Sequence, residues 1–223
     1  MKTFNLFTLL TIVLFTQCTQ PTSEKTTDSQ PTKVHVGVFD GHGGAQSCIW
    51  EAVASVKLDS DMTVRTITTD DIANNILDSL DTIIIPGGGG SRQYLNLGLE
   101  NQQRIKDFVA SGKGAVGICA GAYLFSHTPE YSCMKLNGAQ AIDIEHDNRG
   151  HGMAKFTLTE EGKQLFPEIA NRDTSFVMYY ERPVFIKNEQ DTVQFSTFAM
   201  MESDVHEEGN APAKMTNNNP FFI

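Results

Sequence analysis

The sequence predicts an α/β fold: a doubly wound parallel sheet followed by a β-rich C-terminal extension. Three observations predict it. Short apolar runs alternate with helical stretches four times between Val34 and Phe125, three of those runs end in glycine-rich bends, and after Phe125 one strand-like run follows another. The composition permits a sizeable core, since 40% of the 223 residues are hydrophobic and 20% charged, which excludes wholesale disorder. Seventeen basic against 27 acidic residues give a formal charge of −10, and no Lys/Arg cluster reverses it locally, so no nucleic-acid partner is expected.

The elements follow in order. Val34–Phe39 (VHVGVF) reads as a buried strand ending in Asp40-Gly41-His42-Gly43-Gly44, and a helix follows over about Gln46 to Val56. Met62–Ile67 is the second strand, after which Thr69 or Asp70 caps a helix carrying Ile72, Ile76 and Leu77. Thr82–Ile85 is the third, stopped by Pro86 and four glycines. A helix over about Glu100 to Ala110 turns Ile105, Phe108 and Val109 inward and ends at Ser111-Gly112. The fourth strand, Ala115–Ile118, runs into Cys119-Ala120-Gly121. Beyond it, Ala139–Glu145, Ala154–Leu158, Phe176–Tyr180, Val184–Ile186 and Val193–Met200 read as strands of an antiparallel extension. In an open parallel sheet, ligands meet the carboxyl ends of the strands, which selects Asp40–Gly44, Pro86–Ser91 and Cys119–Gly121.

The N-terminal segment has a different character. Lys2 precedes a mostly apolar run from Phe4 to Phe15, matching an export signal and falling short of the ~20 residues that span a bilayer. Cys18 directly after it resembles the acylated cysteine of bacterial lipoproteins, so residues 1–18 are expected to be a lipoprotein-type signal. Thr19 to Lys33 is polar, without apolar periodicity, and reads as a flexible tether. The expected location is the bacterial cell envelope, with the membrane as partner through a lipid anchor; simple secretion is the alternative.

Gly117-Ile118-Cys119-Ala120-Gly121 has the G-x-C-x-G form of a nucleophile elbow. Its glycines admit a tight strand-to-helix turn that presents the thiol to the cleft. A position at a helix N-terminus favours the thiolate, which makes Cys119 the candidate nucleophile. The Ala120 N–H and one from the Gly87–Gly90 loop are candidate donors to an oxyanion, and Asp40 and Gly121 are candidate pocket-rim residues.

Pro86-Gly87-Gly88-Gly89, the helix with Arg104-Ile105-Phe108-Val109, and Gly117-Ile118-Cys119-Ala120-Gly121-Ala122-Tyr123 together resemble the class I glutamine amidotransferase-like superfamily, with its flavodoxin-like sheet. The branch resembled is the biotin-protein ligase N-terminal domain. Phe39 to Gly44 and Val177-Met178-Tyr179-Tyr180 resemble its opening loop and a later strand. The resemblance covers the chain from Val34 onward, and it implies Cys119 as nucleophile with Gly88, Gly89 and Ala120 at oxyanion positions. It implies amide hydrolysis or transfer through a thioester, a small amide or carboxylate as ligand, and no cofactor. Nothing in the chain resembles the ATP-binding or catalytic module of a ligase, so biotin ligation is not expected.

Such chemistry needs a base, which in amidotransferases is a His followed two residues on by a carboxylate. His206-Glu207-Glu208 has that spacing but sits in a polar stretch, where a solvated charge run is the competing reading. Pro220–Ile223 reads as the start of one more strand, through which family members usually continue to the His; a truncated chain and one that lacks the relay are both open. His42, at the end of the first strand, is the other base candidate. His146 and His151, flanking a short loop, either line the cleft or bind a metal, and no metal is expected. His35 is expected within its strand, and His127 at a helix end. Cys48 and Cys133 either pair in an oxidising compartment or are small buried hydrophobes. Tyr179, Tyr180 and Trp50 are expected as core or cleft-wall aromatics, and Glu181-Arg182 as exposed or rim residues. A binding or scaffold module that has lost the relay is the alternative to an enzyme.

Overall fold

The computed structural model describes residues 32–142, 151–180, 183–203, 205 and 220–223. The expected signal and tether, His146, Glu181-Arg182 and His206 lie outside the described residues, apart from Thr32 and Lys33 at the tether's end.

Strands β1 (Val34–Phe39), β2 (Met62–Ile67), β3 (Thr82–Ile85) and β4 (Gly114–Gly117) form one parallel sheet in the order β2-β1-β3-β4. The register aligns Val38 with both Thr66 and Ile84, and Ile84 with Val116. Because successive side chains in a strand face opposite ways, the apolar runs supply two cores. Phe39, Ile83 and Ile85 join Leu97, Ile105 and Phe108 on one face, and Val36, Val38 and Ile84 join Ile49, Ala52 and Val56 on the other. Each fully buried aliphatic side chain here contributes about 1.5–3 kcal/mol. The first face packs under α2 (Thr69–Ala73), α3 (Gly90–Ala110) and α4 (Ala120–Phe125), and the second under α1 (Gln46–Val56). The sheet is doubly wound, as expected.

Three helical expectations need correction. The cap of α2 is Thr68, whose side chain accepts from the Asp71 N–H while Asp71 accepts from the Thr68 N–H. That helix stops at Ala73, and Asn75, with φ 65, turns the chain into a separate 3-10 turn at Ile76–Ser79. The third helix begins ten residues earlier than expected, at Gly90, and is broken at Gly98, whose φ of 66 and ψ of 163 are not helical.

The extension is antiparallel. β6 (His151–Leu158), β7 (Ser175–Tyr180), β9 (Ala199–Met201) and β10 (Pro220–Phe222) run in the order β10-β9-β6-β7, and β5 (Ala139–Ala141) pairs with β8 (Phe185–Lys187). Val193–Phe198, expected as strand, is irregular, and only Ala199–Met201 pairs. A short helix, α5 (Glu160–Leu165), stands where none was expected; the Thr159 hydroxyl caps it by accepting from the Gly162 N–H.

Candidate functional site

The carboxyl ends of β1, β3 and β4 carry three loops, and backbone bonds join the first two. The Ala45 N–H donates to Gly87 O at 2.9 Å, and the Gly89 N–H to Gly43 O at 2.8 Å. A side chain on Gly88, whose φ is +145, would collide with the Gly43 carbonyl. Glycine is therefore required there both for the angle and for the close approach. Behind the loop the fully buried Gln93 donates from Nε2 to Pro86 O at 3.0 Å.

This ladder aims one amide. No described peptide is cis, and in a trans peptide the C=O and N–H point opposite ways. Gly87 O faces the β1 loop, so the Gly88 N–H faces the other neighbour of β3, the β4 side, where Cys119 follows the strand. Among the described residues neither the Gly88 nor the Ala120 N–H donates to an acceptor. The Gly89 N–H is engaged by Gly43, which removes Gly89 from the set of expected oxyanion donors as the loop stands.

Cys119 sits between β4 and α4 with φ 53 and ψ −108. The turn is tight enough that a Cβ on Gly117 would come within 2.6 Å of the Gly121 backbone, and one on Gly121 would collide with Ile85 O. Gly121 is thus a buried packing position against β3, not a rim residue. α4 is only six residues long, so few peptide dipoles align behind the thiol, and the expected thiolate stabilisation from the helix is correspondingly small.

Cys119, Gly88 and Ala120 line a cavity of about 970 Å³ on the α1 face of the sheet, floored by Ile84 and Ile118 and walled by Met178 and Tyr180 of β7. Its other polar groups include Glu51, Arg92 and Tyr131, none of them foreseen. The spacing of Cys48, Glu51, Ala52 and Ser55 along α1 places them on one helical face, and this was the signal available for that wall.

Other expected residues lie elsewhere. His42 is exposed and does not line the cavity; its N–H donates to Asn96 of α3, which packs the opposite face of the sheet. Asp40 does not line it either, and its N–H is bound to Ile67 O. His151 stacks on Tyr180 with ring centroids 4.1 Å apart and does not itself line the cavity. His35 lies in β1, with Nδ1 2.7 Å from the Thr63 hydroxyl. His127 stands just past the end of α4, as expected, with its Nδ1 2.6 Å from Asp191 Oδ2. Tyr179 is core and Tyr180 cavity wall, whereas Trp50 is 67% exposed and is neither.

Cys48 and Cys133 are free thiols. Cys133 is buried, its Sγ 3.6 Å from Thr128 O, and burial raises its pKa; Cys48 faces the cavity. Among the described residues no group of three or more His, Cys, Asp or Glu is placed to hold a metal ion, and no helix is long and apolar enough to cross a membrane.

No curated protein matches the chain in sequence. Among solved structures it is similar to a glutamine amidotransferase from Thermotoga maritima, at 15% identity and a TM-score of 0.45, over 70% of this chain and 64% of that one. The chain therefore spans less than two thirds of that protein's length. It is also similar to the protein SMU.1228c, at 17% identity and a TM-score of 0.49, over 75% of this chain and 68% of that one. The family model for the N-terminal part of biotin-protein ligase matches residues 34–149, more than half of the chain and the whole of the parallel sheet with its three loops. The chain belongs to the biotin-protein ligase N-terminal family.

Proposed function

We propose that this is an amidotransferase-like domain in which Cys119 attacks the carbonyl carbon of a small amide bound in the cavity. Sulfur bonds to carbon, the carbonyl oxygen takes negative charge beside the Gly88 and Ala120 N–H groups, and the amine leaves with a proton as a thioester forms. Water, or a second amine, then releases the acyl group from sulfur. The observation that carries the reading is the left-handed turn at Cys119, φ 53 on a non-glycine residue, at the lip of a cavity also lined by two amides that have no acceptor among the described residues. Backbone strain of this kind costs about 1–3 kcal/mol and clusters at functional sites.

The test is intact-mass spectrometry after incubation with a panel of small primary amides and activated esters. The expected result is an acyl adduct confined to Cys119 and abolished in Cys119→Ala. Absence of any adduct, with Cys119 no more readily alkylated than Cys48, would overturn the catalytic reading. One observation favours a second reading, a binding module for a small carboxylate or amide. Among the described residues no histidine lines the cavity, so the histidine base of an amidotransferase relay is not among them. Binding without turnover in the same panel would support it.

We also propose envelope attachment through an acylated Cys18, with residues 19–33 as tether. The sequence 1–18 supports this, and mass spectrometry of the mature N-terminus tests it. A lipid-modified Cys18 is expected, and an unmodified N-terminal peptide starting elsewhere would overturn it.

A further inference from the structure

The cavity that holds Cys119 also holds a second thiol, and one glycine separates the two. A Cβ built on Gly87 would lie 3.0 Å from Cys48 Sγ, 3.6 Å from Cys48 Cβ and 3.4 Å from Cys119 Cβ. Both Cβ atoms thus approach a single point, which bounds their separation at about 7 Å, against the 3.5–4.5 Å a disulfide requires. The gap to be closed is a few ångströms at most, between the first turn of α1 and the elbow. Because residue 87 is glycine, no side chain stands in it. Both thiols are half-buried and line the open cavity, so a small oxidant and a reductant reach them; Cys133 is buried away from it.

We infer that Cys48 is the resolving thiol for Cys119, so that oxidation closes the site through a reversible Cys48–Cys119 disulfide. The co-reactant is a hydroperoxide. The Cys119 thiolate attacks one peroxide oxygen, the O–O bond breaks, and the cysteine becomes a sulfenic acid while the leaving oxygen departs as hydroxide or alkoxide and is protonated. The Cys48 thiolate then attacks the Cys119 sulfur, the S–O bond breaks, hydroxide leaves and is protonated to water, and the S–S bond forms. Sulfur is oxidised and peroxide reduced, two electrons in all. A dithiol reductant reverses the step by exchange. Without Cys48, the sulfenic acid is exposed to a second peroxide and advances to irreversible sulfinic acid. Closure also draws α1 toward the elbow and shuts the space where a ligand carbonyl would sit. The inference rests on the proposed reactivity of Cys119, and it adds a partner to it.

The experiment uses the full chain, reduced and then exposed to hydrogen peroxide, with peptide mapping under non-reducing conditions. A Cys48–Cys119 linked peptide is expected, absent after treatment with a dithiol. In Cys48→Ser, Cys119 sulfinic acid should accumulate about tenfold more than in wild type. Gly87→Ala, which sets a methyl between Cys48 Sγ and Cys119 Cβ, should lower the yield of the linked peptide while leaving Cys119 oxidisable. Cys119 oxidised to sulfinic acid equally with and without Cys48 would overturn the inference and leave the nucleophile reading standing. Cys119 that neither oxidises nor acylates would overturn both. A linked peptide containing Cys133 in place of Cys48 would overturn the inference alone.

Discussion

Cys119 adopts backbone angles that glycine reaches freely and a side chain resists. Two effects compete when glycine replaces it. Relief of strain contributes about 1–3 kcal/mol, and the added freedom of the unfolded chain costs about 0.4–1 kcal/mol. The strain term is larger. Cys119→Gly is therefore expected to be more stable than Cys119→Ala by about 1 kcal/mol in urea denaturation, even though neither retains the thiol. Equal midpoints would mean that the turn stores no strain and that the angles at the elbow are incidental to function. The residue scale is also where the sequence was most informative. The glycines of Gly117-x-Cys119-x-Gly121 announce a turn without room for side chains, and contacts with Gly121 and Ile85 backbone are the reason. What the pattern does not contain is the direction of an amide: that the Gly89 N–H is taken by Gly43 while the Gly88 N–H faces β4 depends on pairing between loops more than forty residues apart.

At the scale of the element, α3 tests the same physics with the opposite sign from the usual expectation. In a continuous helix, replacing glycine by alanine gains about 1 kcal/mol. Gly98 has open space around its Cα, nothing lying within 4 Å of an added Cβ, yet its φ of 66 and ψ of 163 suit only glycine. Gly98→Ala is expected to destabilise the fold by about 1–2 kcal/mol, purely through the backbone. A stabilising effect in chemical denaturation would mean that the helix runs straight. This break explains why the first half of α3 escaped the sequence reading. Leu97 and Ile105 are both buried, but the change of direction at Gly98 interrupts the periodicity between them, so only the second half registers as amphipathic. α5 escaped for a different reason: one turn of EEGKQL buries only Gly162, and a helix held by a Thr159 cap carries no apolar stripe to be read. By contrast, β1, α1, β2 and β3 fall where the sequence placed them: β1 and β3 bury apolar residues up to bends rich in glycine, and β2, an exposed edge strand, shows in its β-branched residues.

Across the whole molecule, the two edges of the parallel sheet are held by different chemistry. At the carboxyl edge, backbone bonds among glycines tie the loops and leave side-chain space for a ligand. At the amino edge a carboxylate does the tying. Asp81 accepts from the Lys113 ammonium at 2.7 Å and from the His35 N–H at 2.9 Å, joining the starts of β1, β3 and β4. The Lys113 hydrogen bond first, and then the His35 N–H, hold the Asp81 pKa below its usual value near 4. The sign follows from that depression. An acid whose folded pKa lies below its unfolded one stabilises the fold above the unfolded value, and the contribution disappears as pH falls through the folded value. Asp71, held down by the Thr68 N–H and hydroxyl, and Asp191, held down by the Val193 N–H and then His127, share this sign. The protein should therefore lose stability as pH falls below about 4. Asp81→Asn should be less stable than wild type at pH 7, and the difference should shrink as pH falls and wild-type Asp81 is itself protonated. Alkylation of Cys119 should not change in that variant, because the substitution lies at the opposite edge of the sheet. Thermal melts of the two proteins from pH 7 to pH 2 check this, and parallel curves would show that Asp81 contributes nothing through its charge.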